Sequence, residues 1–182
     1  MSFLADKVMA RLRTILTART RITPFTLEDI HPEYIGWLND PETVKFSRQR
    51  FTRHDTESCI DFFNGIEDSP NFFSAIFDGD EKHIGNISVS NDLENKVSDM
   101  SILIGCKSIW GKGYGNEAWS AVMEELFRLG VRIITGGCMA KNASMVKVMK
   151  KSGMKLYFVR EKYFLLDGEH VDSVHYYKEN RA

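Results

Sequence analysis

Hydrophobic and polar residues along this chain change their period several times, and each change predicts an element. In residues 3–18, Leu4, Val8, Leu12, Ile15 and Leu16 recur at helical spacing while Lys7, Arg11 and Arg13 fall elsewhere, which predicts an amphipathic helix. Its basic polar face suits a membrane-surface anchor, but Asp6 and the short length favour packing on its own domain or on a second subunit. Arg21 to Phe25 reads as a strand. Thr26-Leu-Glu-Asp29 carries the capping-box pattern that opens a helix, here running to Asp40-Pro41, and Pro41 is placed to start another short helix. Phe46 to Phe51 lacks a period and reads as a loop, whereas Thr52 to Asn64 is helical, with Cys59, Ile60, Phe62 and Phe63 on one side.

Three strands follow, Asn71 to Asp78, His83 to Ser90 and Lys96 to Gly105, separated by turns at Gly79-Asp80 and Asn91 to Asn95. Two hairpins in a row predict an antiparallel meander. Gly113 to Leu129 then reads as a helix, with Ala118, Val122, Leu126 and Leu129 on one face and Gly130 as its stop. A strand at Arg132 to Met139, a helix at Asn142 to Ser152, and strands at Leu156 to Leu166 and Val171 to Lys178 complete the chain. That alternation predicts parallel pairing at the sheet centre. The predicted fold is α+β: one domain over residues 21–182, with a mixed, mostly antiparallel central sheet and helices on both faces. Residues 1–20 form an N-terminal helical extension.

Composition narrows the function classes. The 24 basic and 25 acidic residues leave a net charge of −1, so no global field draws the protein to nucleic acid. No apolar run approaches the roughly 18 residues that cross a bilayer, so no stable membrane insertion is expected. Asp6, Lys7, Arg11 and Arg13 also break up any signal-peptide core. Cys59, Cys106 and Cys138 are odd in number and widely spaced, with no metal-binding cluster, which predicts reduced, buried thiols in a cytoplasmic protein.

The chemistry concentrates in Ile109-Trp-Gly-Lys-Gly-Tyr-Gly-Asn116, between an apolar strand and a long helix. Glycines at alternate positions let a ligand approach the backbone. The free N–H groups of the helix's first turn suit an anion such as a pyrophosphate, and Lys112 adds a full charge. A dinucleotide fingerprint needs its third glycine one residue later, a P-loop needs GxxxxGK[ST], and the preceding elements are antiparallel hairpins; all three facts argue against NAD and ATP.

This arrangement resembles the GNAT superfamily of N-acetyltransferases, in particular the branch of the ribosomal-protein acetyltransferases RimJ and RimL with related sugar-nucleotide acetyltransferases. The resemblance covers about residues 21–178 and is sharpest over residues 99–154. One family motif falls on Trp110, Gly113, Gly115 and Glu117-Ala118; the other opens at Asn142 and closes at Lys151-Ser-Gly153-Met154. The resemblance implies acetyl-CoA as co-substrate. Its pyrophosphate would lie on Trp110, Gly111, Lys112, Gly113, Tyr114, Gly115 and Asn116, its pantetheine arm near Asn142, and its thioester near the backbone of Ile102, Leu103 and Ile104. Trp110 departs from the family's Gln or Arg, Met145 from Ser, and Met154 from Phe. Val148 stands where many members have the Tyr that protonates the thiolate, so the general acid is unassigned.

The implied reaction is direct attack of a primary amine, on a small molecule or amino sugar, within a ternary complex. The amine must be neutral, the oxyanion stabilised and the reactants held together. The branch usually carries a Glu on the strand before the turn, and Asp99 is the carboxylate near that position, placed to act as base through a water; the alternative is a structural edge residue. The acceptor pocket is expected from residues 40–60, where Arg48, Arg50 and His54 would bind a phosphorylated or carboxylated acceptor such as a nucleotide-linked amino sugar, or else form a solvated loop. One of His175, Tyr176 and Tyr177 on the last strand is placed to line it. Acetylation of a protein N-terminus and non-catalytic acyl-CoA binding are the alternative functions. A homodimer or larger assembly is compatible with the N-terminal helix.

Overall fold

A computed structural model describes residues 13–67 and 69–180. Eight strands among them form one sheet: β1 (Ile15–Leu16), β2 (Arg21–Pro24), β3 (Phe72–Phe77), β4 (His83–Asp92), β5 (Val97–Ile104), β6 (Ile133–Met139), β7 (Lys155–Leu166) and β8 (Glu169–Glu179), in the order β1-β2-β3-β4-β5-β6-β8-β7. The helices are α1 (Pro32–Asn39), α2 (Thr56–Glu67), α3 (Tyr114–Arg128) and α4 (Ala143–Lys151).

Strand alternation sorts side chains between two cores. On one face Met100, Ile134 and Ile87 pack with Ala118, Trp119, Val122 and Leu126 of α3 and Met149 of α4. On the other, Ala75, Phe73 and Leu103 meet Tyr34, Trp37 and Leu38 of α1 and Cys59 and Phe63 of α2. Helices therefore cover both faces of a mostly antiparallel sheet, as the patterning predicts.

Local chemistry moves several boundaries. Ile15 and Leu16 are strand rather than helix, because a turn from Thr17 to Thr20, closed by Thr17 N–H donating to Thr20 O at 2.9 Å, folds them back onto Ile22 and Arg21. Residues 3–12 of the predicted helix lie outside the described residues. The capping box forms, with Thr26 N–H donating to Asp29 Oδ2 at 2.7 Å, but it closes only a 3-10 turn at Leu27–Asp29. Residues 41–46 are turns rather than a helix started by Pro41, and Arg48–Phe51, expected as loop, forms a 3-10 turn. α2 starts at Thr56 because Asp55 and Ser58 cap its end reciprocally, each backbone N–H donating to the other's side chain at 2.9 Å. Among the described residues parallel pairing is confined to β5 and β6, since β8 inserts antiparallel between β6 and β7.

A chain of neutral imidazoles fixes α1 to β4. Gly85 O can only accept, so the 3.0 Å contact places a proton on His83 Nε2. His83 Nδ1 then accepts from His31 Nε2 at 3.0 Å, and His31 Nδ1 caps α1 by accepting from Tyr34 N–H at 3.2 Å. Burial drives the His83 pKa down to about 4, with Asp29 opposing and His31 adding to the shift.

Candidate active site

β5 and β6 pair at three positions only, Val97 with Ile133, Ser98 with Ile134 and Asp99 with Thr135. Beyond Asp99 they diverge, while β5 stays bonded to β4 as far as Ile104. The far edge of β5 from Met100 to Ile104 thus offers backbone groups with no strand partner. One is taken: Ile104 O accepts the Trp110 indole N–H at 2.8 Å. Trp110, which stands where a polar cofactor contact is expected, spends its polar atom on this internal bond.

A cavity of about 430 Å³ reaches this divergence. Its floor includes Asn86 and Ser88 of β4 and Ser101 and Leu103 of β5; Tyr34, His54 and Phe62 wall one side, and Asn142 and Met145 close it near α4. No Asp, Glu, Lys or Arg of the described residues lines it. Burial, then the nearby Cys59, pushes the Tyr34 hydroxyl above its ordinary range, so it stays a donor. Burial likewise raises the Cys138 thiol to about 11 and the Cys59 thiol upward. Neither is a thiolate near neutral pH, and neither is poised as a nucleophile.

Asp99 lies two residues from Ser101, on the same face of β5. Its Oδ2 accepts from Thr135 Oγ1 at 2.6 Å. Nearby, the His175 ring stacks on Phe158 with centroids 4.3 Å apart, and Ser173 Oγ lies 2.8 Å from its Nε2. A Cβ on Gly137, which lines the cavity, would come within 2.7 Å of His175 Nδ1. Of the three residues in doubt on β8, His175 is therefore the one beside the cavity wall, while Tyr176 is buried in the opposite core. Burial and then Arg160 lower the His175 pKa, and Asp99 opposes them.

The glycine turn has the backbone an anion site needs. Gly111 and Gly113 adopt φ of 76° and 92°, a region costly for residues with a Cβ. Gly113 caps α3, whose first-turn N–H groups have no intrahelical partner. Gly115 lets α3 lie against β5, since a Cβ there would be 3.3 Å from Ile104 Cγ1. Lys112 is exposed, and Asn116 Oδ1 is buried with no partner among the described residues.

Sequence reasoning missed Arg19. Its Nη1 donates to Lys112 O at 3.1 Å, its Nη2 pairs with Glu117 Oε2 at 2.6 Å, and its guanidinium lies 4.5 Å from the Tyr114 ring centroid. Glu117 also accepts from Arg19 N–H at 2.8 Å and Thr17 Oγ1 at 2.6 Å. Burial alone would raise the Glu117 pKa, but these donors outweigh it and hold the carboxyl below its ordinary value. The β1–β2 connection is thus clasped to the turn.

The family model for the acetyltransferase (GNAT) domain matches residues 19–155. The chain belongs to the GNAT acetyltransferases. An acetyltransferase of this family from Bacillus anthracis is 20% identical, with a TM-score of 0.79 over 93% of this chain and 100% of that one. A spermidine N-acetyltransferase from Vibrio cholerae, in complex with CoA and spermine, is 14% identical, with a TM-score of 0.81 over 90% of this chain and 97% of that one. RimL, a ribosomal L7/L12 α-N-protein acetyltransferase in complex with CoA, is 15% identical, with a TM-score of 0.78 over 92% and 98%. No curated protein matches the chain in sequence.

In this GNAT domain Asn142 caps α4, its Oδ1 accepting from Met145 N–H at 3.1 Å, so only its Nδ2 remains to donate to a ligand. Val148 and Met145 pack against the α3–α4 core, and Met154 is buried within it. Of the three residues expected at the acceptor, His54 reaches the cavity, its backbone held by Asn39 through bonds of 2.8 and 2.9 Å. Arg48 and Arg50 do not line it. Arg50 donates to Ser47 O at 2.6 Å and Leu165 O at 3.1 Å and stacks on Phe51, tying the 48–51 turn to the β7–β8 hairpin.

Proposed function

We propose that this GNAT domain transfers an acetyl group from acetyl-CoA to the primary amine of a small molecule, such as an amino sugar, by direct attack in a ternary complex. The cavity that runs from the α1–α2 side to the β5–β6 divergence carries this reading, because it joins an acceptor space to unpaired backbone. Acetyl-CoA would supply the acyl group as a thioester. Gly111, Gly113, Gly115 and the first turn of α3, with Lys112 and Arg19 alongside, would hold its pyrophosphate. Asn142 Nδ2 and the free edge of Ile102 to Ile104 would hold the arm and stabilise the oxyanion.

The uncharged lining does part of the chemistry. An ammonium entering it loses hydration and meets no carboxylate among the described residues of the lining itself, so its pKa falls and the nucleophilic neutral amine is favoured. Asp99 takes the released proton through a water; Thr135 engages Oδ2, and Oδ1 has no partner among the described residues. The same lining suits a polyamine poorly, because a polycation would find no carboxylate there. Three free cysteines accord with a reducing, cytoplasmic setting.

A second reading rests on an open groove between α1, the 48–51 turn and Leu165 to Gly168, which shares His54 with the cavity and has room for an extended peptide. The experiment is release of free CoA from acetyl-CoA against amino sugars, sugar nucleotides, polyamines and N-terminal peptides. Release with a small amine is the expected result, and release with peptides alone would favour the groove. Heat of acetyl-CoA binding with no turnover across the panel would make the domain a binding module.

A further inference from the structure

Asn86 lies on the cavity floor, in register with Ala75 on β3 and Leu103 on β5. It is 3% exposed, and neither its Nδ2 nor its Oδ1 has a hydrogen-bond partner among the described residues. A buried amide left unsatisfied at both ends destabilises a fold, and leucine, of similar size, would suit a site beside Leu103 better. The neighbouring hydroxyls do not relieve it: Ser88 Oγ and Ser101 Oγ bond to each other at 2.7 Å, and neither forms a hydrogen bond to the amide. A second buried polar atom in the same lining, His54 Nε2, is also without a partner among the described residues. Phe62, Phe73 and Tyr34 supply aromatic surface to the same cavity.

A carboxamide presents a donor and an acceptor side by side. Two adjacent hydroxyls complement it, one donating to Oδ1 and the other accepting from Nδ2. The ring C–H groups of such a molecule pack on aromatic faces, and an uncharged frame fits a lining in which the described residues include no Asp, Glu, Lys or Arg. We propose that Asn86 is a specificity-determining residue that reads a pair of adjacent hydroxyls, so that the acceptor amine is carried on a polyhydroxylated, sugar-like frame. This rests on the acetyltransferase reading only in requiring that the frame carry an amine.

The test is calorimetric titration of the full chain, with CoA present, by glucosamine and by cyclohexylamine, rings of one size with and without hydroxyls. Wild type is expected to prefer glucosamine at least about tenfold, and Asn86→Leu to reduce that preference about ten- to hundredfold while melting no lower than wild type. Asn86→Ala, which adds no bulk, is expected to show the same loss and serves if the leucine variant misfolds. An absent preference in wild type, whether both amines bind or neither does, overturns the proposal, as does a preference unchanged in a folded variant. CoA release is scored separately. Asn86-dependent glucosamine binding without release keeps the recognition and removes acetyl transfer, whereas release with cyclohexylamine but not glucosamine does the reverse.

Discussion

Asp99 accepts a 2.6 Å hydrogen bond from Thr135 at the last position where β5 and β6 are paired. The carboxylate is thus held by one oxygen where the strands begin to part. Asp99→Asn should lower kcat about 100-fold or more at neutral pH with a smaller change in acceptor KM, because the amide keeps the bond and loses the base. Thr135→Val, which leaves the carboxylate, should cost only severalfold. The pH–rate profile decides between roles: a profile unchanged in Asp99→Asn makes the residue structural.

Gly113 caps α3 with φ of 92°, and a Cβ there would meet nothing closer than Arg19 Nη2 at 3.5 Å. Backbone conformation, rather than crowding, sets the cost of replacing it. Gly113→Ala should lose about 1–2 kcal/mol in chemical denaturation. Gly113→Glu adds a like charge at the pyrophosphate site and should weaken acetyl-CoA binding at least about tenfold. An unchanged dissociation constant would place the cofactor elsewhere.

The Arg19–Glu117 pair is partly exposed, the Arg side chain at 45%. Screening limits its value to stability, so Arg19→Ala should cost only about 0.5–1 kcal/mol. Its effect on acetyl-CoA should be larger, about tenfold at low salt and less at high salt, because a cation beside an anion site is lost. Equal losses at both salt concentrations would mean that Arg19 only shapes the turn.

His83 links pH to folding. Its folded pKa of about 4 lies below the ordinary 6.5, so between those values the unfolded chain binds more protons. Stability should therefore hold above about pH 6.5 and fall by up to about 3 kcal/mol as the pH drops toward 4. Melting temperatures across that range should show a clear slope in wild type and a flatter one in His83→Gln. Equal slopes would assign the acid sensitivity to other groups.

The meander, both long helices and the glycine turn were legible because local signals govern them: alternation, the Gly130 stop, and glycines whose positive φ no neighbour must impose. Asn142 was legible as the first residue of a helix motif, and it does cap that helix. Ile15 and Leu16 misled because a helical recurrence over residues 3–18 does not register the Thr17–Thr20 turn that reverses the chain. Arg19 carries no local signal, since its partner Glu117 lies 98 positions away. Asn86 reads like any polar residue alternating along a half-exposed strand, and only the packing of α1 and α2 over β4 buries it. Arg50 looked available in a basic loop, but the carbonyls of Ser47 and Leu165 claim it.

With only three residue pairs joining β5 to β6, the sheet behaves mechanically as two plates fastened at one corner. Each plate is stiffened by antiparallel pairing, while the seam opposite the fastening rests on the helices laid across it, α3 and α4. Compliance is thereby concentrated at the mouth of the cleft. A ligand gripping both margins would act as a brace between the plates, so occupancy should be felt as slower amide exchange along both β5 and β6 even where no ligand atom touches them.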